Sequence, residues 1–564
     1  MKFNDYVYKR PDLKAYKEKF NNLLLQFNDA SSVEQQIETI KLINALRNDF
    51  ETMSTIASIN FTRNTTDKFF EKEHNFFDEN KPIVDGLIFD YYKSLTNSVF
   101  KSELFSEFGE QLFNIANATL KAFSPQIVPD LQESNKFVSQ YVKLLSSAKI
   151  NFEGKTINIS GMAPYSTSTD REIRRKAAIA KWGFFENNSK ELDEIYDKLV
   201  KVRTKMARKL GYENYTDMAY AKLYRTDYDK TDVGKFRNHV LKYIVPIATK
   251  LKYKQMERAG IDNPKYYDYD LIFKTGNAKP KGNPEWIVER AREMYAQLSE
   301  ETNLFMDTMI ENNLMDLYNK EGKAPGGYCT FIPEYKTPFI FANMNGTSDD
   351  IRVLTHEAGH AFQAFSSRNF SVPEYVFPTL ESAEIHSMSM EFITWPWMKL
   401  FFNGETEKFK TGHLEKSILF IPYGVTVDEF QHIIYENPDM TPSERNQVWR
   451  ETERKYLPWK DYDENFYLND GGYWQSQPHI YRMPFYYIDY CLAMICALQF
   501  LIKSNKDRSK AWDEYLALCR AGGSKSFKEL LKLGNLNSPF EESSISSVIN
   551  EISNWIENHT GSNL

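Results

Sequence analysis

The chain has 564 residues, of which 42 % are hydrophobic and 26 % charged, a composition typical of a globular protein with an extensive core. Its formal net charge of -7 weighs against nucleic-acid binding, because such binding depends on neutralising phosphates with Lys and Arg. The start, MKFNDYVYKRPDLK, has no apolar segment like that of a secretory signal, and the four cysteines form no CxxC pair. We therefore expect a cytoplasmic protein.

Apolar residues at three- and four-residue spacing cover most of the chain and predict helices. The clearest segments are residues 32–61 and residues 168–211. In the second segment, Thr169 and Glu172 have the spacing of a capping box, and Gly211 is the residue type that commonly ends a helix. These patterns predict a mainly α fold.

Few segments have the pattern of strands. Residues 149–160, KINFEGKTINIS, alternate around a Glu-Gly turn and predict a hairpin. Residues 328–346 predict two short strands. Within them, Phe339 to Asn343 is either an open edge that binds an extended peptide by strand addition or an ordinary core strand. Later, the apolar run at residues 491–502 is too short to cross a bilayer and predicts a buried helix.

The segment THEAGHAFQ, residues 355–363, carries two histidines four residues apart. On a helix, His356 and His360 share one face and can offer ring nitrogens to one metal ion, while Glu357 can reach a water on that ion. This is the H-E-x-x-H arrangement of zinc peptidases. Gly359 removes a side chain where a substrate or a strand must come close. The alternative is a buried histidine pair that binds no metal.

A catalytic zinc needs a third protein ligand and one open position. The segment TLESAEIHSMSMEF, residues 379–392, offers Glu381, Glu384, His386 and Glu391. One helix can present both a ligand and a carboxylate that orients a metal-bound histidine. Spacing alone leaves Glu381 and Glu384 open as the ligand.

The segments HEAGH and EIHSMSME resemble the M3 family of zinc oligopeptidases, most closely its oligoendopeptidase F branch. In that family a ligand glutamate is followed by a serine three residues on and an acid seven residues on. The resemblance implies that His356, His360 and Glu384 bind zinc, that Glu391 orients a ligand and that Glu357 is the general base. Further matching segments are KAPGGYC, VDEFQHIIYENP, PHIYRMPFYYIDY and RAGGSKS.

The segment PHIYRMPFYYIDY, residues 478–490, matches the part of this family that faces the zinc across the cleft. The resemblance implies that His479, Tyr487 and Tyr490 donate hydrogen bonds during catalysis. Met483 stands near the position of a further tyrosine in another branch of the family. Considered without the family, such tyrosines are more often core residues that satisfy their hydroxyls locally than catalytic groups.

The resemblance also implies an architecture of two helical halves that enclose a deep substrate channel, with a small β-sheet near the metal site. We expect residues 1–190 to form a helical N-terminal region and residues 191–564 to form the catalytic region; one continuous α-helical unit is the alternative. No repeat or sharp linker marks a boundary.

The expected function is a zinc-dependent endopeptidase that hydrolyses internal bonds of short oligopeptides. It would use one Zn²⁺ per chain and have neither nucleic acid nor membrane as a partner. An aminopeptidase or a broad proteinase could use the same zinc site. A non-catalytic helical protein that only holds peptides is a third possibility.

Overall fold

The structure, a computed structural model, describes residues 1–559 and begins with long helices. Side chains at Asp12, Ser32 and Asp67 cap the first three by accepting hydrogen bonds from backbone N–H groups, as is usual at helix starts. The N-terminal helices are α1 (Leu13–Asn28), α2 (Val33–Arg63), α3 (Lys68–Thr96), α4 (Lys101–Phe108), α5 (Glu110–Ala122) and α6 (Val128–Ser146). The helix predicted at residues 32–61 is therefore confirmed as α2.

The next group of helices leads to the small sheet. It comprises α7 (Ala163–Ser166), α8 (Arg171–Asn187), α9 (Ser189–Lys209), α10 (Tyr215–Lys222), α11 (Lys230–His239), α12 (Val245–Ala259), α13 (Pro284–Leu298) and α14 (Glu300–Glu311). The segment predicted at residues 168–211 thus forms two helices that are separated at Asn188. Gly211, with φ +85°, follows the end of α9 as predicted.

The predicted capping box at the start of α8 is wrong. Asp170 caps this helix instead, because its carboxylate accepts hydrogen bonds from the backbone N–H groups of Glu172 and Ile173. Asp is as good an N-cap as Thr, and Asp170 stands directly before the first helical residue.

The C-terminal part of the chain is again helical. It comprises α15 (Asp349–Ser367), α16 (Leu380–Ile393), α17 (Lys399–Phe402), α18 (Thr406–Glu436), α19 (Pro442–Tyr456), α20 (Phe466–Asn469), α21 (Pro478–Arg482), α22 (Tyr487–Lys506), α23 (Arg508–Ala521), α24 (Phe527–Leu533) and α25 (Glu542–His559). Helix α22 is long and apolar enough to cross a membrane by length and composition, but 78 % of its most apolar window is buried inside the protein. The predicted buried helix is therefore confirmed.

The strands form two small sheets. Strands β1 (Ile150–Phe152) and β2 (Lys155–Ile157) make the predicted hairpin, in which Glu153 and Gly154 both have positive φ. The second sheet contains β3 (Met315–Tyr318), β4 (Tyr328–Ile332) and β5 (Thr337–Met344). The two strands predicted at residues 328–346 are β4 and β5.

Strand β5 is the central strand of its sheet, with β3 parallel on one side and β4 antiparallel on the other. The hypothesis that Phe339 to Asn343 is an open edge is therefore wrong, since both edges of β5 are hydrogen-bonded. The four-residue strand β3 covers the second edge, and the sequence pattern did not reveal it. Strand β4 lies at the end of the sheet instead.

Helix α16 lies at the centre of the C-terminal part, packed between α15 and α22, and its residues 381–393 are buried. Helices α1 to α5 form a separate hydrophobic core that also includes Val372 and Tyr375. A cavity of about 470 Å³ lies between the N-terminal helices and the C-terminal part. It is lined by Gln111 of α5 and Ser134 of α6 on one side and by Thr379 on the other. This mainly α architecture with a small sheet confirms the predicted fold class, whereas the boundary at residue 190 stays a prediction.

Candidate metal and active site

Two histidines and a glutamate converge beside the three-stranded sheet. Helix α15 places His356 and His360 one turn apart, with ring centroids separated by 5.0 Å. Oε2 of Glu384, on α16, lies 3.2 Å from Nε2 of His356 and 3.3 Å from Nε2 of His360. One potential ligand atom from each of the three residues lies within 4.8 Å of the others. Two imidazoles and one carboxylate are a donor set that suits a zinc-like cation.

Close packing of two helices brings these groups together. A Cβ on Gly359 would lie 2.7 Å from the carbonyl oxygen of His386 and 2.7 Å from Cα of Ser387. Such distances are too short, so only glycine lets α15 approach α16 this closely. The prediction that Gly359 makes room for a substrate or a strand is wrong, because the neighbour is helix α16.

A chain of hydrogen bonds fixes the orientation of the first histidine. Trp395 Nε1–H donates to Nδ1 of His413 at 2.9 Å, and an indole nitrogen can only donate, so this Nδ1 accepts. His413 then carries its proton on Nε2 and donates it to Glu391 at 2.7 Å. The other oxygen of Glu391 accepts from Nδ1–H of His356, also at 2.7 Å. Nε2 of His356 is consequently the ring atom that faces Glu384, at 3.2 Å from Oε2.

Glu391 is ionised in this arrangement. Burial alone would raise its pKa, but the hydrogen bonds from His356 and His413 outweigh burial and lower the pKa to about 2. A carboxylate behind a metal-facing histidine raises the basicity of the ring and holds its orientation. The structure therefore places Glu391 where the sequence resemblance expects an orienting acid.

Two hydroxyl groups and the histidine pair hold the carboxylate of Glu384. Ser387 Oγ donates to its Oε2 at 2.8 Å, and the Tyr486 hydroxyl donates to its Oε1. Burial opposes ionisation of Glu384, but the two histidines outweigh it and hold its pKa well below the ordinary value. The carboxylate is thus charged and immobilised with one oxygen toward the histidine pair.

The other residues of this segment that the sequence offered as ligands lie apart from the histidine pair. Glu381 accepts a hydrogen bond from Thr379 Oγ1 at 2.7 Å. The Nδ1 atom of His386 lies 2.8 Å from the carbonyl oxygen of Ser382. Between the two glutamates that spacing left open, Glu384 is the one that the fold brings to His356 and His360.

Glu357 lies beside this cluster with an unsatisfied carboxylate. It is buried, and among residues 1–559 no hydrogen-bond partner reaches its Oε2. Burial raises its pKa, and this effect is partly offset by the nearby His356 and His360. It lines a cavity of about 440 Å³, together with His479, Tyr487 and Tyr490. A buried carboxylate oxygen without a partner needs a water or a substrate proton to satisfy it.

A second hydrogen-bond chain orients the groups across this cavity. The Tyr423 hydroxyl donates to Oε1 of Gln477 at 2.7 Å, so the amide nitrogen of Gln477 donates to Nδ1 of His479 at 2.9 Å. Burial, followed by the charge of Arg482, lowers the pKa of His479 to about 4, so this ring is neutral and carries its proton on Nε2. That atom lies 3.3 Å from the Tyr490 hydroxyl. His479 therefore donates to the Tyr490 oxygen, and the Tyr490 hydroxyl also forms a hydrogen bond with Tyr486.

The fold brings His479, Tyr487 and Tyr490 together across the cavity from the histidine pair, as the family resemblance implies. His479 and Tyr487 have ring centroids 5.1 Å apart, and Tyr487 and Tyr490 lie 5.3 Å apart. Sequence reasoning missed Tyr486, which contacts Glu384, and the His413 and Trp395 pair behind Glu391. The cluster of tyrosines at 486, 487 and 490 was a signal for Tyr486, whereas no spacing pattern marks His413 or Trp395.

The arrangement as a whole can hold a divalent cation next to an unpartnered carboxylate. Two imidazole nitrogens and one carboxylate oxygen face the same point, and the remaining side opens to the cavity that Glu357 and Tyr490 line. A cation there can be approached by a water and by a peptide carbonyl. This combination of an anchored cation, a base and a hydroxyl donor is suited to hydrolysis.

Comparison with known proteins relates the chain to peptidases. Residues 165–548 match the profile described as peptidase family M3, and residues 3–123 match that of the peptidase M3 N-terminal domain. The chain is 23 % identical over 424 residues to oligopeptidase PepF of Bacillus subtilis (strain 168), which covers 70 % of this chain and 59 % of that protein. It is 21 % identical over 510 residues to an oligoendopeptidase F homolog of Mycoplasma genitalium, covering 84 % of this chain and 80 % of that one.

Solved structures are more similar. A Pz peptidase A with a bound inhibitor is 54 % identical, with a TM-score of 0.98 and 99 % of each chain covered. A structure described as oligoendopeptidase F from Bacillus anthracis str. Ames is 49 % identical, with a TM-score of 0.93, and covers 99 % of this chain and 98 % of that chain.

Proposed function

The chain belongs to peptidase family M3 and is a metallopeptidase, and from this premise we propose that it is a cytoplasmic zinc endopeptidase that cuts internal bonds of short peptides. The observation that supports this proposal most is the convergence of His356, His360 and Glu384 beside Glu357, whose buried carboxylate has an oxygen without a partner. The names of the similar proteins, oligopeptidase and oligoendopeptidase, support short peptides as substrates.

We propose His356, His360 and Glu384 as the residues that hold zinc. When bound, zinc supplies a Lewis acid that polarises a peptide carbonyl and lowers the pKa of water. Glu391 holds the ring of His356 in the tautomer whose Nε2 can act as a ligand, and His413 and Trp395 in turn hold Glu391. A hydrogen-bond chain of this kind keeps ligand geometry fixed through a reaction cycle.

Glu357 is the proposed general base. It takes a proton from the attacking water and later passes it to the leaving amine, a role that a carboxylate with a free oxygen can fill. Its raised pKa, which burial causes, makes it a stronger base than an exposed glutamate. Tyr490, whose hydroxyl lines the cavity and keeps its proton, is the proposed donor to the oxyanion that develops on the scissile carbonyl.

Strand β4 replaces β5 as the proposed surface for the substrate backbone. It is the end strand of its sheet, so main-chain groups on one edge have no strand partner among the described residues. The chain enters β4 beside the base, since a Cβ on Gly327 would lie only 3.1 Å from Oε1 of Glu357. An extended peptide added to this edge is bound mainly by main-chain hydrogen bonds, which depend little on the side chains of the peptide.

Metal analysis of the purified protein, combined with mass-spectrometric mapping of cuts in a mixed peptide pool, tests this function. We expect one zinc per chain and cuts inside peptides, including peptides with an acetylated N-terminus. Cuts confined to the first residue of free peptides would instead identify an aminopeptidase, and digestion of folded proteins a broad proteinase. A zinc-loaded protein that binds peptides without cutting them would overturn the proposal.

The packing at Gly359 gives a prediction about metal affinity. In Gly359→Ala the added methyl group meets α16 at two points 2.7 Å away, so α16 must shift and carry Glu384 with it. Overpacking of this kind costs about 1–3 kcal/mol. If that strain falls on the ligands, zinc affinity drops about tenfold, since about 1.4 kcal/mol equals one factor of ten. Titration with a competing chelator measures the change.

Gly183→Ala is the matched control. Gly183 also lies inside a helix, α8, but a Cβ there meets no atom within 4 Å. This variant should bind zinc as tightly as the unchanged protein. Equal zinc affinity in Gly359→Ala would show that α15 and α16 adjust without moving the ligands, contrary to the packing argument.

A further inference from the structure

A second cavity, of about 360 Å³, lies next to the active-site cavity. Lys416 and Phe420 line both cavities, so the two share a wall. On α18 these residues and Tyr423 follow a three- and four-residue spacing, which places them on one face of the helix. The Phe420 ring lies 5.6 Å from that of Tyr487 on the active-site side. A peptide in the active site can therefore extend past Phe420 into this second cavity.

The lining of the second cavity, which we call the lysine-lined cavity, is strongly basic. Five cationic side chains contribute to it: Arg174, Lys181, Lys252, Lys416 and Lys460. Three of them are already paired with carboxylates outside the lining, namely Arg174 with Asp268, Lys416 with Asp349 and Lys460 with Glu453.

The other two cations, Lys181 and Lys252, have no carboxylate within 4.0 Å in the part of the chain that the structure describes. Lys252 is buried, and its ammonium group donates only to neutral oxygens, those of Gln255 at 2.7 Å and the Tyr269 carbonyl at 3.1 Å. The half-buried Lys181 lies over the Trp182 ring at 5.3 Å. Asp270, the single carboxylate of the lining, is exposed and forms no ion pair with either lysine.

Burial of a lysine that has no ion pair is costly, and an anion bound beside it would relieve this cost. Burial lowers the pKa of Lys252 to about 8, and the more distant charges of Asp270 and Glu415 offset this effect only in part. The tyrosines of the lining, Tyr266 and Tyr267 among them, add apolar rings and hydroxyl donors. A carboxylate on a peptide chain satisfies the lysines while the rest of its residue packs against these rings.

We propose that the lysine-lined cavity binds a carboxylate of the peptide substrate, through Lys181 and Lys252. This inference rests on the proposed peptidase function and names the group that the enzyme recognises away from the scissile bond. Two carboxylates have the right chemistry, the free C-terminus of the peptide and an Asp or Glu side chain near that end. The first would fix the distance between the cut and the end of the peptide, whereas the second would select acidic sequences.

Three fluorogenic peptides of one sequence separate these sources. The first has a free C-terminus and a glutamine near its end, the second has the same residues with a C-terminal amide, and the third is the amide with glutamate in place of glutamine. We expect the peptide that carries the recognised carboxylate to have a KM about tenfold lower than the neutral amide, a ratio typical of one charged hydrogen bond. Equal KM values for all three peptides would overturn the inference.

The variant Lys181→Gln then locates the effect. It removes a cation that forms no ion pair, so the KM ratio between the charged and the neutral peptide should fall toward one. Lys176→Gln is the matched control, because Lys176 lies on the same helix, α8, but is exposed outside the cavity. A folded Lys181→Gln variant that keeps the full ratio would place the carboxylate elsewhere and overturn the inference.

The comparison between peptides in the unchanged protein needs no variant, so it stays informative if Lys181→Gln fails to fold. Failure of the underlying function gives a different result. If the protein is not a peptidase, it cuts none of the three peptides, whereas failure of this inference leaves all three cut with the same KM.

Discussion

Glu357→Gln is expected to keep its zinc and to lose turnover by a factor of at least about 10², the usual contribution of a general base. The amide has nearly the size of the carboxylate, so the packing around the site is preserved. It has no proton affinity comparable with that of Glu357, whose pKa burial raises. Single-turnover rates on a fluorogenic peptide, together with zinc content and peptide affinity, separate loss of chemistry from loss of binding.

Glu381→Gln provides the matched control for that variant. Glu381 is also a buried glutamate close to the site, but it bonds Thr379 and does not face the histidines. Burial, followed by the charge of Asp489, raises its pKa and so favours the protonated form, which glutamine resembles. We expect it to retain zinc and turnover. Near-normal turnover in zinc-loaded Glu357→Gln would refute the base role.

The sequence predicted the parts of this site that depend on local spacing. The four-residue separation of His356 and His360 determines a shared helix face whatever the rest of the fold does. Spacing alone left Glu381 and Glu384 open, because either can face the same way from a helix whose partner is unknown. The family resemblance favoured Glu384, and in the fold it is the glutamate that approaches the histidines.

Features that depend on contacts between distant parts of the chain could not be predicted from the spacing of residues. The order of the three-stranded sheet depends on β3, which has only four residues and pairs with a strand more than twenty positions later. His413 reaches Glu391 from another helix, and its partner Trp395 lies in a short turn after α16. The prediction that a substrate or a strand lies against Gly359 failed for the same reason, because only the fold shows that α16 packs against this glycine.

The contacts of Tyr486 and Tyr490 depend on where helix α22 begins. Helix α22 begins at Tyr487, so Tyr486 stands just outside it and points its hydroxyl to Glu384. Tyr490, one turn into the helix, meets His479 instead. The sequence gives no marker that fixes the start of α22 so closely, so it could not assign a contact to each tyrosine.

Tyr490→Phe is expected to lower kcat by about 10²–10³, the usual effect of removing one donor to an oxyanion. Burial raises the pKa of Tyr490 well above its ordinary value, so the hydroxyl keeps its proton at neutral pH. The neutral ring of His479 donates to the tyrosine oxygen, so the Tyr490 proton can turn from Tyr486 to a substrate. Because the bond forms in the transition state, kcat and kcat/KM should fall together while KM changes little.

Tyr487→Phe and Tyr486→Phe complete this test. Tyr487 shares the cavity lining with Tyr490, so a comparable loss of kcat in Tyr487→Phe would assign the donor role to both hydroxyls. Tyr486 touches Glu384, and its loss should instead weaken zinc binding, because the ligand carboxylate is freed on one side. Full kcat in both Tyr487→Phe and Tyr490→Phe would show that these two tyrosines are core residues. The oxyanion would then need another donor, and His479 would be the group left to provide it, since the loss of the Tyr490 hydroxyl frees its Nε2–H.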